Sequence, residues 1–306
     1  MSFKSSKVCT CIHFFDSVPD KSIVRENVVK HLDGKGINVA IKDDTDMKQE
    51  QSKEKETSHN NSKRKRKFGL RKKHADNVTI NLEKMPKKTV KLKTQQVIDI
   101  PEHIHDMCSF ILRHVEVKGI FKKKGNSSKQ EAITHMIKYN QCIPTEIYSP
   151  IDVSGALLKT LKLLREPVIP CKYHPLLYAC YDHEDNENLL LLACLLMPVE
   201  NVNILAYLMQ FFNEVSKHNV TSQTNLIEQI GSAIMPFSEN KYKSNKIIGI
   251  LMNKSEFIGM VPEVMTYKWP LKKPKTICDK FNDVIKSFGK IFRRIKHSTY
   301  SNRFFN

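Results

Sequence analysis

The residues best suited to chemistry form a short loop in which two glycines enclose an apolar pair and three lysines. The loop reads Gly119-Ile120-Phe121-Lys122-Lys123-Lys124-Gly125 and is called the lysine loop below. A lysine ammonium is a compact point charge, so a lysine presented on a loop of this kind acts on anionic groups. A run of lysines is otherwise most often a solvated stretch of surface, and the two interpretations have to be separated by the rest of the chain.

The composition limits the classes of function. The chain has 306 residues, and its 50 Lys and Arg against 32 Asp and Glu give a formal net charge of +18. A chain of this length buries a substantial core, as one large domain or two small ones. The positive charge favours acidic partners, which are nucleic acid, an anionic membrane or an acidic protein face. We expect no membrane span, because no segment has roughly 18 to 20 consecutive apolar residues, and no secretory signal, because residues 1–15 lack a continuous apolar core.

Metal and cofactor chemistry finds little support in the sequence. The eight cysteines are scattered and form no pair of Cys-x-x-Cys motifs, so no structural zinc site is expected. His103 and His105 lie two residues apart and would face different sides of a helix, which disfavours a metal pair. The segment Cys9-Thr10-Cys11-Ile12-His13 leaves metal binding or acylation open as a minor interpretation. No cofactor and no metal site are predicted.

Residues 43–97 are predicted to be a disordered basic linker. Apolar content falls there and charged and polar residues take over, so the segment cannot bury enough apolar surface to offset chain entropy. A solvated charge run and a nuclear-import signal or nucleic-acid contact both fit its central basic block. The absence of interleaved aromatic residues weakens the nucleic-acid interpretation. The block consists of Lys63, Arg64, Lys65, Arg66 and Lys67.

Residues 98–262 are predicted to form an all-α domain, because apolar residues recur there at helical spacing. A shorter stripe in residues 23–32 predicts one helix in the N-terminal segment, residues 1–42, with Gly34 placed to end it. The stripes of the main domain lie in residues 104–115, 153–164, 189–197, 204–215 and 226–234.

The C-terminal segment, residues 263–306, is predicted to contain a basic amphipathic helix over about residues 276–296. One interpretation is a helix that packs on the main domain. The other is a helix that lies on an anionic membrane or in the groove of a partner. In the second case the membrane-facing side chains are predicted to be Phe281, Phe288, Phe292, Arg293 and Arg294.

Five motifs in residues 98–260 resemble, in order and spacing, those of the Rho GTPase-activating (RhoGAP) domain family. The lysine loop is similar to the family's Gly-Ile/Leu-Phe-Arg-x-x-Gly. The other four lie in residues 152–159, 165–170, 196–205 and 219–226. The flanks, residues 24–32 and 260–263, resemble the branch of the family that is numbered eleven.

The resemblance implies a RhoGAP-like helical bundle that binds a Rho-family small GTPase in its GTP-bound form and stimulates the partner's GTP hydrolysis. In the family an arginine of this loop enters the partner's active site, and Lys122 holds that position here. An arginine supplied in trans is worth about 10³ to 10⁵ in rate. Lysine lacks the planar fork and is costlier to desolvate. We therefore expect GTPase binding with weakened or lost stimulation, and no reaction catalysed by the chain alone.

The resemblance also implies a set of partner-facing residues. Lys159 falls on the family's lysine that braces the loop and faces the partner, and Asn225 falls on an asparagine that contacts the GTPase. Lys123 and Lys124 flank the catalytic position, and Leu163 stands where the family has an arginine. Other interpretations remain open, since Lys159 on an apolar helix reaches the surface in any case and asparagine commonly satisfies a helix start.

A function of a different class also remains open. The chain would then be a non-catalytic basic scaffold that binds anionic membrane or nucleic acid and has no GTPase partner. The expected location is the cytoplasm, with the nucleus and the membrane periphery as further options.

Overall fold

The computed structural model describes residues 12–41, 79–218 and 223–267. Nine α-helices and four short strands lie in these ranges, so the all-α prediction is confirmed. The helices are α1 Lys21–Gly34, α2 Glu102–Arg113, α3 Ser127–Lys138, α4 Pro150–Lys162, α5 His174–Tyr181, α6 Asn186–Cys194, α7 Val199–His218, α8 Gln223–Ile234 and α9 Lys241–Asn253. The strands are β1 Ile12–Phe14, β2 Lys87–Lys91, β3 Val97–Pro101 and β4 Met260–Pro262.

Helix α7 is the central helix of the fold. It is buried along most of its length and packs against β3 and α9. Its length of 20 residues gives it about 30 Å, enough to pass through the core of a small domain. The apolar stripes that predicted α2, α4, α6, α7 and α8 all face this common core. Three further helices, α3, α5 and α9, have no stripe among those singled out from the sequence.

The two ends of the described fold pack together. Strand β1 pairs antiparallel with β4, with Phe14 opposite Met260. Helix α1 ends at Gly34 as the sequence predicts, and its Asn27 Nδ2 donates to the carbonyls of Met265, at 2.9 Å, and Tyr267, at 2.8 Å. The N-terminal helix is therefore built into the same folded unit as the C-terminal turn of the domain.

The structure differs from the predicted linker at its C-terminal end, where residues 79–97 are folded. Ile80, Met85 and Leu92 are buried, and strands β2 and β3 form an antiparallel hairpin ahead of α2. These apolar residues are isolated in a polar stretch, so they produce no helical stripe. The hairpin lies on α7, where the apolar residues of β3 face inward, and Ile80 is held at the C-terminal end of α4, where it forms a β-bridge with Leu164.

Three predictions lie outside the described residues. These are the disordered part of the linker, the nuclear-import block Lys63–Lys67 and the membrane-facing residues of the C-terminal helix. In the described ranges the structure has no helix with the length and apolar character that a bilayer crossing requires. The three remain predictions.

Candidate functional site

The lysine loop forms a tight turn after α2 that depends on a glycine. Gly119 has a φ of +105°, a conformation that strains any residue with a Cβ. Its carbonyl accepts from the backbone N–H groups of Lys122, at 3.0 Å, and Lys123, at 2.8 Å. Phe121 also has a positive φ, +58°, which is unusual for an aromatic residue. The backbone is thus folded back sharply, directly before Lys122.

The apolar pair of the loop is held in the core. Ile120 is fully buried and Phe121 is only 7% exposed. The Phe121 ring meets the rings of Phe211 and Phe212 on α7 edge-on, with centroids 6.2 and 5.5 Å apart. An edge-on aromatic pair stabilises the fold by about 0.5–1.5 kcal/mol in addition to the energy gained from burying the apolar area of the rings. This packing offsets the strain of the positive φ at Phe121. It also fixes the point at which Lys122 emerges at the protein surface.

The three lysines of the loop are exposed. The stem of Lys123 folds back over Gly119, since a Cβ built at Gly119 would lie 2.6 Å from Lys123 Cδ. Lys122 is exposed at the turn of the loop, next to the buried ring of Phe121. The loop therefore combines a rigid apolar anchor with a cationic outer surface.

A buried carboxylate holds the far end of the loop. Asp152, on the first turn of α4, is 4% exposed, and its Oδ1 accepts the N–H of Asn126 at 2.6 Å. Its Oδ2 accepts from the hydroxyl of Ser149 at 2.7 Å. Burial raises the pKa of Asp152, but the hydrogen bonds from Ser149 and Asn126 outweigh it and the net pKa is lowered. The carboxylate is therefore ionised at neutral pH and binds the loop to α4.

Gly125 is required by this arrangement. A Cβ at Gly125 would lie 2.5 Å from Asp152 Oδ1 and 2.8 Å from Gln130 Nε2, closer than real atoms approach. The loop thus approaches α4 as closely as it does because position 125 carries no side chain. Ser154, two residues further along α4, accepts from the N–H of Phe121 at 3.4 Å.

Lys159 lies on the side of α4 that faces α3. Helices α3 and α4 run side by side in the same direction, because Asn126 meets Asp152 at their starts and Glu131 meets Lys159 further along. The Lys159 ammonium is 3.0 Å from Glu131 Oε1, and its side chain is 35% exposed. Lys159 follows Asp152 by seven residues, about 10 Å along the helix. It therefore shares the α3–α4 side of the domain with the lysine loop, and in this structure its charge is paired.

Asn225 is exposed in the first turn of α8. Helix α8 packs on α4, and the end of α7 that precedes it lies at the base of the lysine loop. There His218 Nδ1 is 3.4 Å from Oε1 of Glu116, three residues before Gly119. No described contact joins Asn225 to Lys122 or Lys159, and residues 219–222, which connect α7 to α8, lie outside the described ranges.

Leu163 is half-buried and packs against the core at the C-terminal end of α4. Its carbonyl accepts the N–H of Ile80 at 2.9 Å. This places Leu163 where the segment before β2 is held against α4, at the opposite end of that helix from Asp152. A partner-facing role for Leu163 remains a prediction.

Several residues that build the site were not singled out from the sequence as site residues. Ser149 and Asp152 have the Ser-x-x-Asp spacing of a helix N-terminus, which predicts the local hydrogen bonds but not the contact with Asn126. Glu131 and Glu116 carry no motif, and their partners are distant in the chain. In the described ranges no three His, Cys, Asp or Glu side chains lie together in a way that suits a metal ion.

Residues 101–236 match the family model of the RhoGAP domain, and this region of the chain is a RhoGAP domain. Rho GTPase-activating protein 11A from Homo sapiens is 26% identical over 189 residues, which cover 56% of this chain and 18% of that protein. Rho GTPase-activating protein 7 from Canis lupus familiaris is 25% identical over 168 residues, which cover 52% of this chain and 15% of that protein. The chain therefore spans less than a fifth of the length of these two curated relatives.

The solved structures that match this chain include the following two. Human Rho GTPase activating protein 15 aligns with a TM-score of 0.48 and 14% identity, covering 51% of this chain and 83% of that one. The BH domain from Graf, the GTPase regulator associated with focal adhesion kinase, aligns with a TM-score of 0.45 and 15% identity, covering 51% and 94%.

Proposed function

We propose that this chain regulates a Rho-family small GTPase, and that its RhoGAP domain binds the GTP-loaded partner with Lys122 directed at the transferring phosphate. Hydrolysis takes place in the partner, and this chain contributes charge and position. Lys123, Lys124, Lys159 and Asn225 are the partner-facing residues of the proposal.

The observation that supports this proposal best is the division of the lysine loop into a buried half and an exposed half. Phe121 is packed on α7 and Asp152 holds Asn126, so both ends of the exposed lysine run are fixed. A cation that stabilises a transition state has to be positioned before the reaction, because reorganisation during the reaction costs rate. The anchored loop meets this requirement for Lys122.

The chemistry of lysine limits the size of the effect. An ammonium stabilises charge on a phosphoryl oxygen as a point charge, whereas a guanidinium donates two directed hydrogen bonds and loses less hydration energy. We infer that stimulation by Lys122 is far below the roughly 10³- to 10⁵-fold effect of an arginine. Binding of the GTP-loaded partner is the larger part of the function.

Single-turnover GTP hydrolysis by a panel of Rho-family GTPases tests this proposal. The full chain is compared with its Lys122→Arg and Lys122→Ala variants. We expect Lys122→Arg to raise the hydrolysis rate at least about tenfold over the unmodified chain, because the planar fork is restored. Lys122→Ala should remove whatever stimulation the unmodified chain shows.

The matched control is Lys129→Arg, which makes the same change at another exposed lysine, in the first turn of α3. With this variant the GTPase should hydrolyse GTP at the rate measured with the unmodified chain. Equal rates for all three residues at position 122 would overturn the catalytic part of the proposal. Failure to bind any GTPase, combined with salt-sensitive binding to anionic vesicles or DNA after deletion of residues 98–260, would favour the scaffold function instead.

A further inference from the structure

The positive charge of the folded domain is not confined to the lysine loop, because helices α3 and α4 carry four lysines. These are Lys129, Lys138, Lys159 and Lys162. The same two helices have two carboxylates, of which Asp152 is buried and only Glu131 is exposed. The described ranges as a whole are nearly balanced, with 25 Lys and Arg against 23 Asp and Glu. The basic character of this side of the domain is therefore local.

Three of these lysines lie along the seam between the two helices. Lys162 follows Lys159 by three residues, so the two side chains occupy neighbouring positions on one face of α4. Lys138 follows Glu131 by seven residues, about two turns, and so lies on the face of α3 from which Glu131 reaches Lys159. The distance along α4 from Asp152, at the lysine loop, to Lys162 is about 15 Å. We call Lys138, Lys159 and Lys162 the lysine seam.

Helix α4 exposes little besides two of these lysines. From Asp152 to the end of the helix its residues are buried except for Gly155, Lys159 and Lys162. Gly155 has no side chain, and the amide of Gln130 lies above it, since a Cβ built at Gly155 would be 2.2 Å from Gln130 Nε2. A protein that contacts α4 beyond the lysine loop therefore meets Lys159 and Lys162.

The contact with Glu131 shows which kind of ligand Lys159 accepts. Glu131 Oε1 accepts a hydrogen bond from the Lys159 ammonium at 3.0 Å. The Glu131 side chain is 66% exposed, whereas that of Lys159 is 35% exposed. An ion pair with so exposed a carboxylate is weak, because water solvates both charges and two long side chains have to be ordered. A carboxylate of another molecule can therefore replace Glu131 at little cost.

We propose that the lysine seam binds an acidic segment of the GTP-loaded partner, and that a carboxylate of this segment replaces Glu131 on Lys159. The inference rests on the proposed function for the identity of the partner, but not for the binding of carboxylates by the seam. Lys122 acts on the nucleotide, whereas the seam contacts the protein surface of the partner. Glu131 competes with the partner for Lys159 and lowers the affinity.

The effect on the partner is measured as the affinity of the full chain for a panel of GTP-loaded Rho-family GTPases at about 50 mM and about 200 mM salt. We expect Glu131→Gln to bind about threefold more tightly, because no internal carboxylate has to be displaced, and Lys162→Gln to bind about threefold more weakly. Both differences should shrink at the higher salt concentration, since salt screens exposed charges.

The matched controls make the same changes at exposed residues of other elements: Glu184→Gln before α6 and Lys241→Gln in the first turn of α9. Both controls should leave the affinity unchanged. A lysine near a helix C-terminus also stabilises the helix, but that role predicts no gain in affinity for Glu131→Gln. Affinities of the Glu131 and Lys162 variants that equal those of the controls would overturn the inference, as would weaker binding by Glu131→Gln.

The carboxylate-binding property is measured without a GTPase, by titrating the full chain with a hexaglutamate peptide and following the lysine Cε signals by NMR. We expect the signals of Lys159 and Lys162 to saturate at lower peptide concentration than that of Lys241, and Glu131→Gln to lower the midpoint for Lys159 about threefold. Equal midpoints, or a response to phosphatidylserine vesicles or a DNA oligonucleotide but not to the peptide, would contradict the inference. If no GTPase binds, the proposed function fails while this titration still decides what the seam binds.

Discussion

At the residue scale, the site consists of a few buried contacts that fix exposed charge. Lys122 itself is exposed to solvent. Its position is set by Phe121, which is packed on two phenylalanines of α7, and by Asp152, which accepts the N–H of Asn126. The consequence is that changes at the buried residues should affect the proposed partner surface as strongly as changes at the lysines.

Asp152→Asn provides the residue-scale prediction. The substitution keeps the shape of the side chain but removes the charge from hydrogen bonds that are stronger for an ionised acceptor. We expect a loss of about 1–3 kcal/mol in the free energy of unfolding, measured by urea titration. The control is Asp182→Asn, at an exposed carboxylate paired with Lys243, where the loss should stay below about 1 kcal/mol. Equal losses at the two positions would contradict the anchoring role of Asp152.

At the element scale, the lysine loop depends on the close approach of its backbone to α4. The glycines serve different purposes: Gly119 supplies a positive φ, and Gly125 leaves space for the Asp152 carboxylate and the Gln130 amide. The parallel packing of α3 on α4 then places Lys159 on the same side of the domain. The position of the loop therefore depends on the lysine loop, α3 and α4 together.

Gly125→Ala tests the close approach. The added methyl group would lie 2.5 Å from Asp152 Oδ1, so the loop has to move away from α4. We expect weaker binding to the GTP-loaded partner together with a lower melting temperature. Gly34→Ala is the matched control, because a Cβ at Gly34 meets no atom within 4 Å. Unchanged binding and stability in Gly125→Ala would show that the loop does not need this contact.

The elements show how far the sequence predicts the structure. The helices with long apolar stripes were predictable, because burial of one face imposes a period of 3.6 residues. The β2–β3 hairpin and the segment before it were not, because Ile80, Met85 and Leu92 are single apolar residues and distant parts of the chain hold these segments. The hairpin lies on α7, and Ile80 bridges to Leu164 at the end of α4. The lysine loop was found from its resemblance to the loop motif of the RhoGAP family. The pairs that hold its surroundings, Asn126 with Asp152 and Glu131 with Lys159, were not, since each joins residues about 30 positions apart without a shared pattern.

At the scale of the whole molecule, the folded unit extends beyond the matched RhoGAP region of residues 101–236. Helix α1 and strand β1 pack on the C-terminal part of the domain, and the hairpin packs on α7. Arg25 donates to the carbonyl of Met197 at 3.0 Å and lies over the Phe15 ring, which is fully buried. The N-terminal helix is therefore expected to contribute to the stability of the domain that carries the site.

The pKa of His31 on α1 predicts how the contribution of this helix to stability depends on pH. Burial and the nearby charge of Lys35 lower its pKa to about 4, against the opposing effect of Asp185. In the unfolded chain the pKa is about 6.5, so the folded state binds fewer protons between these values and stability falls as the pH falls through that window. We expect a loss of up to about 3 kcal/mol between pH 7 and pH 4 from this group. Urea unfolding at both pH values should show a smaller loss in His31→Gln, and an equal loss would contradict the assignment.

The central claim is that an anchored loop presents Lys122 to the nucleotide of a Rho-family GTPase. The most direct measurement is a pulldown by the full chain against a panel of these GTPases, each held in a GDP form and in a transition-state-analogue form. We predict that at least one GTPase is retained more strongly in the analogue form and that Lys122→Glu abolishes this preference. Retention of no GTPase in either form, or an unchanged preference in Lys122→Glu, would contradict the claim.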